Sequence, residues 1–350
     1  MDHIGILKRA VKLTWRNRAL WVFGILLALT SGGGGGGGAN GNVTLPGNQS
    51  FNPSGWAPGG EGIAAALAGI VVLLLLLVFV MAIIGAVIRY LSENALIKMV
   101  NQHEEIGNTG TVGEGFRKGW SRPALHMFVI DLVIGIPTVI AAILLILFGL
   151  SPLLLLMIDV TGVQVLAVVL TIGLMLLVIG VLILAGIALS LLTKLAYREA
   201  ALGNKRIFEA IGDAYRLIRR NLSDVGMVWL LMLAVGIGWG LVMIPVFIIV
   251  LVLAGVVGGI PAAVVYAITE SIGLTIAVGG PLGLLTMIAP LLFLGGLYTT
   301  FVSSVWTITY RELMAKESGR ELEDASDDLL TAGIEEIEES DAELEDPDEE

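Results

Sequence analysis

Cysteine is absent from the 350 residues, and histidine is limited to His3, His103 and His126. The first absence excludes a disulfide framework, a thiol nucleophile and a thiolate metal site. Histidine chemistry fares little better. His103-Glu104 opens like the His-Glu-x-x-His motif of zinc proteases, but position 107 is Gly107, so the second ligand is missing. The intramembrane catalytic patterns Gly-x-Gly-Asp and Gly-x-Ser-Gly do not occur either. Gly32 to Gly38 satisfies Gly-x-Gly-x-x-Gly only because every residue is glycine; no strand pattern precedes it and no Gly-Lys-Ser/Thr follows, so it reads as a low-complexity exit into a Gly/Asn/Ser/Pro-rich loop rather than a phosphate cradle. The expectation is a protein that is no enzyme and holds no metal or cofactor.

Charge is scarce too. Asp, Glu, Lys and Arg make up 15% of the chain, against about a quarter in soluble domains. In their place stand apolar residues, 56% of the total with a mean hydropathy of +0.89. They are gathered into runs such as 63–88, 163–192 and 227–257, longer than the roughly 18 residues that mark a spanning helix. The reading is an all-α polytopic membrane helix bundle with six spans near 19–38, 63–88, 125–150, 163–192, 227–257 and 281–309. The first apolar stretch has a basic flank like a signal peptide, but glycines follow it instead of a cleavage site, so it is expected to be retained. The stretch 260–278 contains Glu270 and is expected to be a short interfacial or re-entrant segment rather than a seventh span.

The distribution of bases sets the expected orientation. Five precede the first span, and Arg89, Lys98, Arg117, Lys118 and Arg122 lie between the second and third. Seven, from Lys194 to Arg220, lie between the fourth and fifth; Arg311, Lys316 and Arg320 follow the sixth. All 20 bases fall on one side, which the positive-inside rule makes cytoplasmic, with both termini inside. Acid is segregated differently. From Glu317 to Glu350 there are 17 acidic residues and one base, a net charge of −16, whereas residues 1–316 carry a net +5. The expected division is therefore a transmembrane domain over 1–315 and an acidic disordered cytoplasmic tail over 316–350. Leu330, Ile334, Ile337 and Leu344 in that tail fall near helical spacing, so it reads either as a solubilising segment or as a helix formed on a protein partner.

The basic connections share a pattern. Gly113-Glu114-Gly115-Phe116-Arg117 parallels Gly212-Asp213-Ala214-Tyr215-Arg216, and Tyr197-Arg198-Glu199 parallels Tyr310-Arg311-Glu312, with Arg89-Tyr90 at the end of span two. The period is near 100 residues, which predicts three hairpin repeats over about 1–98, 99–203 and 204–315, each opened by a cytoplasmic amphipathic entry helix. With Trp15-Arg16-Asn17-Arg18-Ala19-Leu20-Trp21 ahead of the glycine run, these motifs resemble the six-helix prokaryotic family called the glycerophosphoryl diester phosphodiesterase membrane domain, and related uncharacterised membrane proteins. The resemblance covers residues 1 to about 315 and implies a prokaryotic plasma-membrane protein. The catalytic domain that gave the family its name is not among these residues, so the resemblance does not imply that activity.

Two candidate sites follow. Arg117, Lys118 and Trp120 in the second entry helix, and Arg216, Arg219 and Arg220 in the third, mix bases with aromatic neighbours and are expected to lie in the headgroup layer against anionic lipid. Asp131 is the one Asp, Glu, Lys or Arg placed inside an expected span. It reads either as a snorkelling carboxylate paired near Arg122 or as a proton or cation site. Pro137, Pro245 and Pro290 read either as breaks around a substrate or as packing devices. The expected function is a non-catalytic membrane protein that organises or regulates the membrane or a partner; the alternative is a transporter or a membrane subunit of one. Nucleic acid is not an expected partner, because the bases sit beside spans and the acidic tail shares their side.

Overall fold

A computed structural model describes residues 1–30, 60–158 and 160–344, the side chains of 60–68, 321 and 323–344 excepted. The expected external loop 41–60 and the outer part of the first span, 31–38, lie outside the described residues but for Gly60. Every described element is helical: α1 His3–Arg16, α2 Arg18–Thr30, α3 Gly60–Ile106, α4 Val112–Gly119, α5 Arg122–Leu150, α6 Thr161–Leu202, α7 Ile207–Arg220, α8 Leu222–Thr269 and α9 Ile272–Leu344, with a 3-10 turn at Ser151–Met157 joining α5 to α6. Five of the helices are long and apolar enough to cross a membrane, and α2 is a shorter apolar helix. The chain is a membrane-embedded helical bundle.

Each of the last five expected spans lies inside a longer helix. Hydropathy marks the part of a helix that lipid solvates, whereas backbone hydrogen bonding continues into polar turns that pack on one another. The largest correction concerns 260–278. That stretch is no separate segment between two spans: α8 continues through Pro261 to Thr269, and the chain reverses at Glu270 and Ser271 into α9. Glu270 sits in the left-handed region (φ 47°) and its N–H donates to the Tyr266 carbonyl at 2.8 Å, so the segment is the tip of a helical hairpin. Gly258 makes the close approach there, since a Cβ on it would lie 2.7 Å from the Gly279 carbonyl oxygen. Pro137, Pro245 and Pro290 likewise stand inside unbroken helices.

The core lies at the end of the bundle that carries the bases. α1 is capped by Asp2, whose carboxylate accepts the Gly5 N–H at 2.9 Å, and it buries Ile6, Ala10 and Leu13 at helical spacing while Lys8, Arg9 and Lys12 face outward. It packs on α9, as α4 packs on α3 and α7 on α6. α4 opens with a capping box between Thr111 and Glu114. The repeated small residue of the entry motif now has a physical reason. Gly115 faces Phe23 and Met99 so closely that a Cβ would sit about 2.5 Å from the Phe23 ring, and Ala214, its counterpart in α7, is fully buried. α3, α6 and α9 also touch one another pairwise, which makes them the centre of the bundle.

The expected boundary at 315–316 falls inside α9 and is corrected. Lys316 donates to Asp224 at 2.6 Å, and Glu317 accepts from Arg220 at 2.9 Å and from the Asn221 side chain at 2.8 Å. Residues 316–320 thus belong to the folded body, clamped on the elbow between α7 and α8. The helix continues to Leu344, where a disordered segment was expected. Ala, Leu and Glu are strong helix formers, a local preference that the charge argument for disorder did not weigh.

Candidate functional site

Where α3, α6 and α9 converge, ionisable side chains are buried together. Arg198 is 1% exposed. One of its terminal nitrogens donates to the Ser303 carbonyl at 3.1 Å and lies 3.9 Å from the Glu93 carboxylate; the other donates to the Lys194 carbonyl. The Ser303 hydroxyl donates to Glu93 at 3.2 Å. Lys194, one turn before Arg198, places its ammonium 4.9 Å from the centre of the Trp306 ring. Arg198 and Lys194 both feel the charge of Glu93, and both Arg198 Nε and Trp306 Nε1 are buried without a hydrogen-bond partner.

The two Tyr-Arg-Glu motifs use their arginines differently. Arg198 points into the centre, while Arg311 reaches Asn101 and Glu105 at the end of α3. Their glutamates each take a base from outside their own helix. Glu199 pairs with Lys205, ahead of α7, at 3.0 Å, and Glu312 pairs with Arg9 in α1. Lys205 also donates to Asp213 at 2.6 Å. This hydrogen bond holds Asp213 below the usual carboxylate range against its slight burial, with the charges of Lys205 and Arg216 adding to it. Burial opposes the charge on Lys205, but the bonds to Asp213 and Glu199 outweigh it and raise the ammonium above its ordinary value. A depressed carboxyl stabilises the fold above its unfolded value and loses that effect as pH falls through the folded one; a raised ammonium stabilises below its unfolded value and loses the effect as pH rises through the folded one. Protection of α7 amides from hydrogen exchange should therefore be flat through neutral pH and fall below about pH 4 and above about pH 10.5. A loss of protection between pH 6 and 8 would assign the docking of α7 to other groups.

Asp131 sits beside this centre, and its expected partner is corrected. It accepts the Tyr90 hydroxyl at 2.7 Å and lies 3.9 Å from the Arg89 guanidinium, both on α3, and not against Arg122. Tyr197 is buried near the same carboxylate. Nor is Asp131 alone inside a spanning helix, since Glu93, Lys194 and Arg198 lie within two of the five. The sequence placed those three in loops because their apolar runs end nearby; the repeated Tyr-Arg-Glu singles out Arg198 and Arg311 alike and does not say which of them faces inward.

The entry helices present a second feature. Trp15 at the end of α1, Trp120 at the end of α4 and Phe208 at the start of α7 are each more than 70% exposed, and Tyr215 is exposed as well. Of the six residues expected at the membrane surface, Arg117, Trp120 and Arg219 are exposed and make no ion pair among the described residues. Lys118 is held by Gln102, Arg216 by Asp213 and Arg220 by Glu317. The described residues contain no cluster of three or more His, Asp or Glu side chains able to hold a metal ion.

No curated protein and no solved structure matches the sequence. Residues 10–309 match the model of a family described as "Family of unknown function (DUF7544)", a stretch that takes in the whole polar centre and stops short of the acidic tail, and the chain belongs to this family.

Proposed function

We propose that the chain is a non-catalytic, six-span protein of the prokaryotic cell membrane, with both termini cytoplasmic, that organises the membrane or a partner through a collar of amphipathic helices. The observation that carries the reading is the large exposed aromatic on each of α1, α4 and α7, placed beside bases at the end of the bundle where all 20 bases collect. An aromatic and a base side by side, one half apolar and one half charged, suit the layer between water and acyl chains. The three-unit architecture rests on the ring of contacts, in which each entry helix packs on the exit helix of the unit before it and α1 closes the ring on α9. Such a body also fits the six-helix membrane-domain family that its motifs resemble.

Because the chain lacks cysteine, the collar can be probed with single cysteines at Trp120 or Phe208 carrying a polarity-sensitive dye, in liposomes of anionic or neutral lipid. A blue-shifted emission is expected in anionic liposomes, weakened by salt and by Arg117→Glu or Arg219→Glu, each base near an anionic surface contributing about 1 kcal/mol. Water-like emission in both lipids would remove the collar. For orientation, reporters fused after His103, Lys205 and Lys316 should be active on the cytoplasmic side and one after Glu270 outside; an external signal at Lys316 would overturn the six-span topology. The further external points expected from the sequence, Asn48 and Asp159, lie outside the described residues.

A transport role is the second reading, favoured by the meeting of Glu93, Lys194 and Arg198 inside the bundle. Solute flux abolished by Lys194→Met and Asp131→Asn at normal expression would replace the organising role.

A further inference from the structure

Beside the polar centre, α3 and α5 leave a groove of about 410 Å3 whose two ends differ in chemistry. Its walls are Leu132, Ile136, Val139 and Ile140, all exposed, and a Cβ on its Gly135 would meet nothing within 4 Å. From Asp131 to Ile140 the face of α5 runs about 14 Å at ~1.5 Å per residue, close to half the roughly 30 Å hydrocarbon core. One end is charged. There the Asp131 side chain is 28% exposed and the Arg89 side chain 48% exposed, 3.9 Å apart at the limit of contact. The Tyr90 and Phe128 rings stand edge to face, 5.7 Å apart, beside them.

We propose that this groove seats one phospholipid with a zwitterionic primary-ammonium headgroup. An acyl chain lies along the aliphatic face of α5. The ammonium donates to the Asp131 carboxylate beside the Tyr90 and Phe128 rings, a carboxylate and aromatic setting that suits an amine. The lipid phosphate meets the exposed guanidinium of Arg89, whose fork matches phosphate oxygens. A loose Arg89–Asp131 pair is a dipole, and the antiparallel dipole of an ammonium phosphate completes both partners, whereas an anionic lipid satisfies Arg89 and faces Asp131 with like charge. A trimethylammonium headgroup has no N–H to donate. The site is separate from the collar and calls for a different lipid, so each stands or fails without the other.

The test uses the full chain in mixed micelles holding equal amounts of phosphatidylethanolamine, phosphatidylcholine and phosphatidylglycerol with matched acyl chains, followed by native mass spectrometry of retained lipid. Phosphatidylethanolamine should be retained about tenfold over phosphatidylcholine, the factor that ~1.4 kcal/mol supplies, whereas phosphatidylglycerol reports the collar. Asp131→Asn and Arg89→Gln should each bring phosphatidylethanolamine to parity with phosphatidylcholine. Gly135→Leu, which fills the groove where there is room for a side chain, should displace the lipid while the Tyr90–Asp131 bond stays intact. Arg117→Glu in the collar should lower retained phosphatidylglycerol and leave the ratio of phosphatidylethanolamine to phosphatidylcholine as it is. Retention of phosphatidylethanolamine and phosphatidylcholine in bulk proportion, a loss of phosphatidylglycerol in place of phosphatidylethanolamine on Gly135→Leu, or an enrichment of phosphatidylethanolamine that survives Gly135→Leu would overturn the proposal. If Asp131→Asn does not fold, Gly135→Leu decides alone.

Discussion

Replacing Arg198 by alanine is expected to destabilise the bundle by about 3–5 kcal/mol, the range for breaking a buried ion pair by removing one partner. Three contacts go at once: the bonds to the Lys194 and Ser303 carbonyls and the charge facing Glu93. Glu93 is then left with the Ser303 hydroxyl and no near cation but Lys194. Lysine is no substitute, because a single ammonium cannot reach two carbonyls on different helices as a planar fork does. Thermal unfolding followed by fluorescence-detected size exclusion should show a midpoint lower by about 10 °C, at ~2–4 °C per kcal/mol for a body of this order of size. Adding Glu93→Gln to Arg198→Ala should recover part of the loss, since the two side chains act as a pair and the double change removes the stranded carboxylate. A single Arg198→Ala variant within about 2 °C of the parent would show that the centre does not hold α3, α6 and α9 together.

The same residue shows where a sequence is legible and where it is not. Apolar runs and the one-sided placement of bases identified the helices, because lipid solvation is a local property of a window of residues. The entry motif was legible as well, down to the small residue that proves buried at Gly115 and Ala214. Which bases face inward was not legible. Lys194 and Arg198 follow an apolar run and so count as loop charges in a hydropathy profile, yet α6 carries them on to Leu202 and the convergence of three helices from distant parts of the chain buries them. Asp131 finds Tyr90 and Arg89 on a helix forty residues earlier, while the nearer base, Arg122, opens its own helix more than two turns away. Composition likewise changes at 315, whereas the body runs on, since only the fold brings Asp224, Arg220 and Asn221 under residues 316–320. Pairings between elements, rather than the elements themselves, were out of reach.

Inserting a side chain at Gly296 should detach α2 from α9. At about 20 Å, from 13 residues at ~1.5 Å each, α2 is short for a hydrocarbon core of roughly 30 Å, and its place depends on close packing. A Cβ at Gly296 would lie 2.8 Å from both the Cα and the backbone nitrogen of Ile25; one at Gly24 would lie 2.3 Å from the Gly296 carbonyl oxygen. Both obstacles are backbone and cannot rotate away. The Thr300 hydroxyl, which bonds the Gly296 carbonyl at 2.9 Å and the Leu20 carbonyl at 3.3 Å, depends on the same approach, as does the Trp21–Phe293 edge contact at 5.6 Å. Overpacking of this kind costs about 1–3 kcal/mol and sometimes more, and a turn of the Ile25 side chain, which also meets a Cβ at Gly296, does not relieve the clash with its backbone. The cysteine-free chain offers a direct readout. A Cβ on Gly295 would stand 3.7 Å from the Cβ of Ala28, inside the ~3.5–4.5 Å range of a disulfide, so the pair Ala28→Cys and Gly295→Cys should cross-link under mild oxidation. Gly296→Val should abolish that bond, while Gly238→Ala, where a Cβ meets nothing within 4 Å, should leave it intact. Since α1 is continuous with α2 through Asn17, loss of the crossing should also shift Trp15 out of the collar; an undiminished cross-link in Gly296→Val would show that α2 is held in place by α1 and α3 instead.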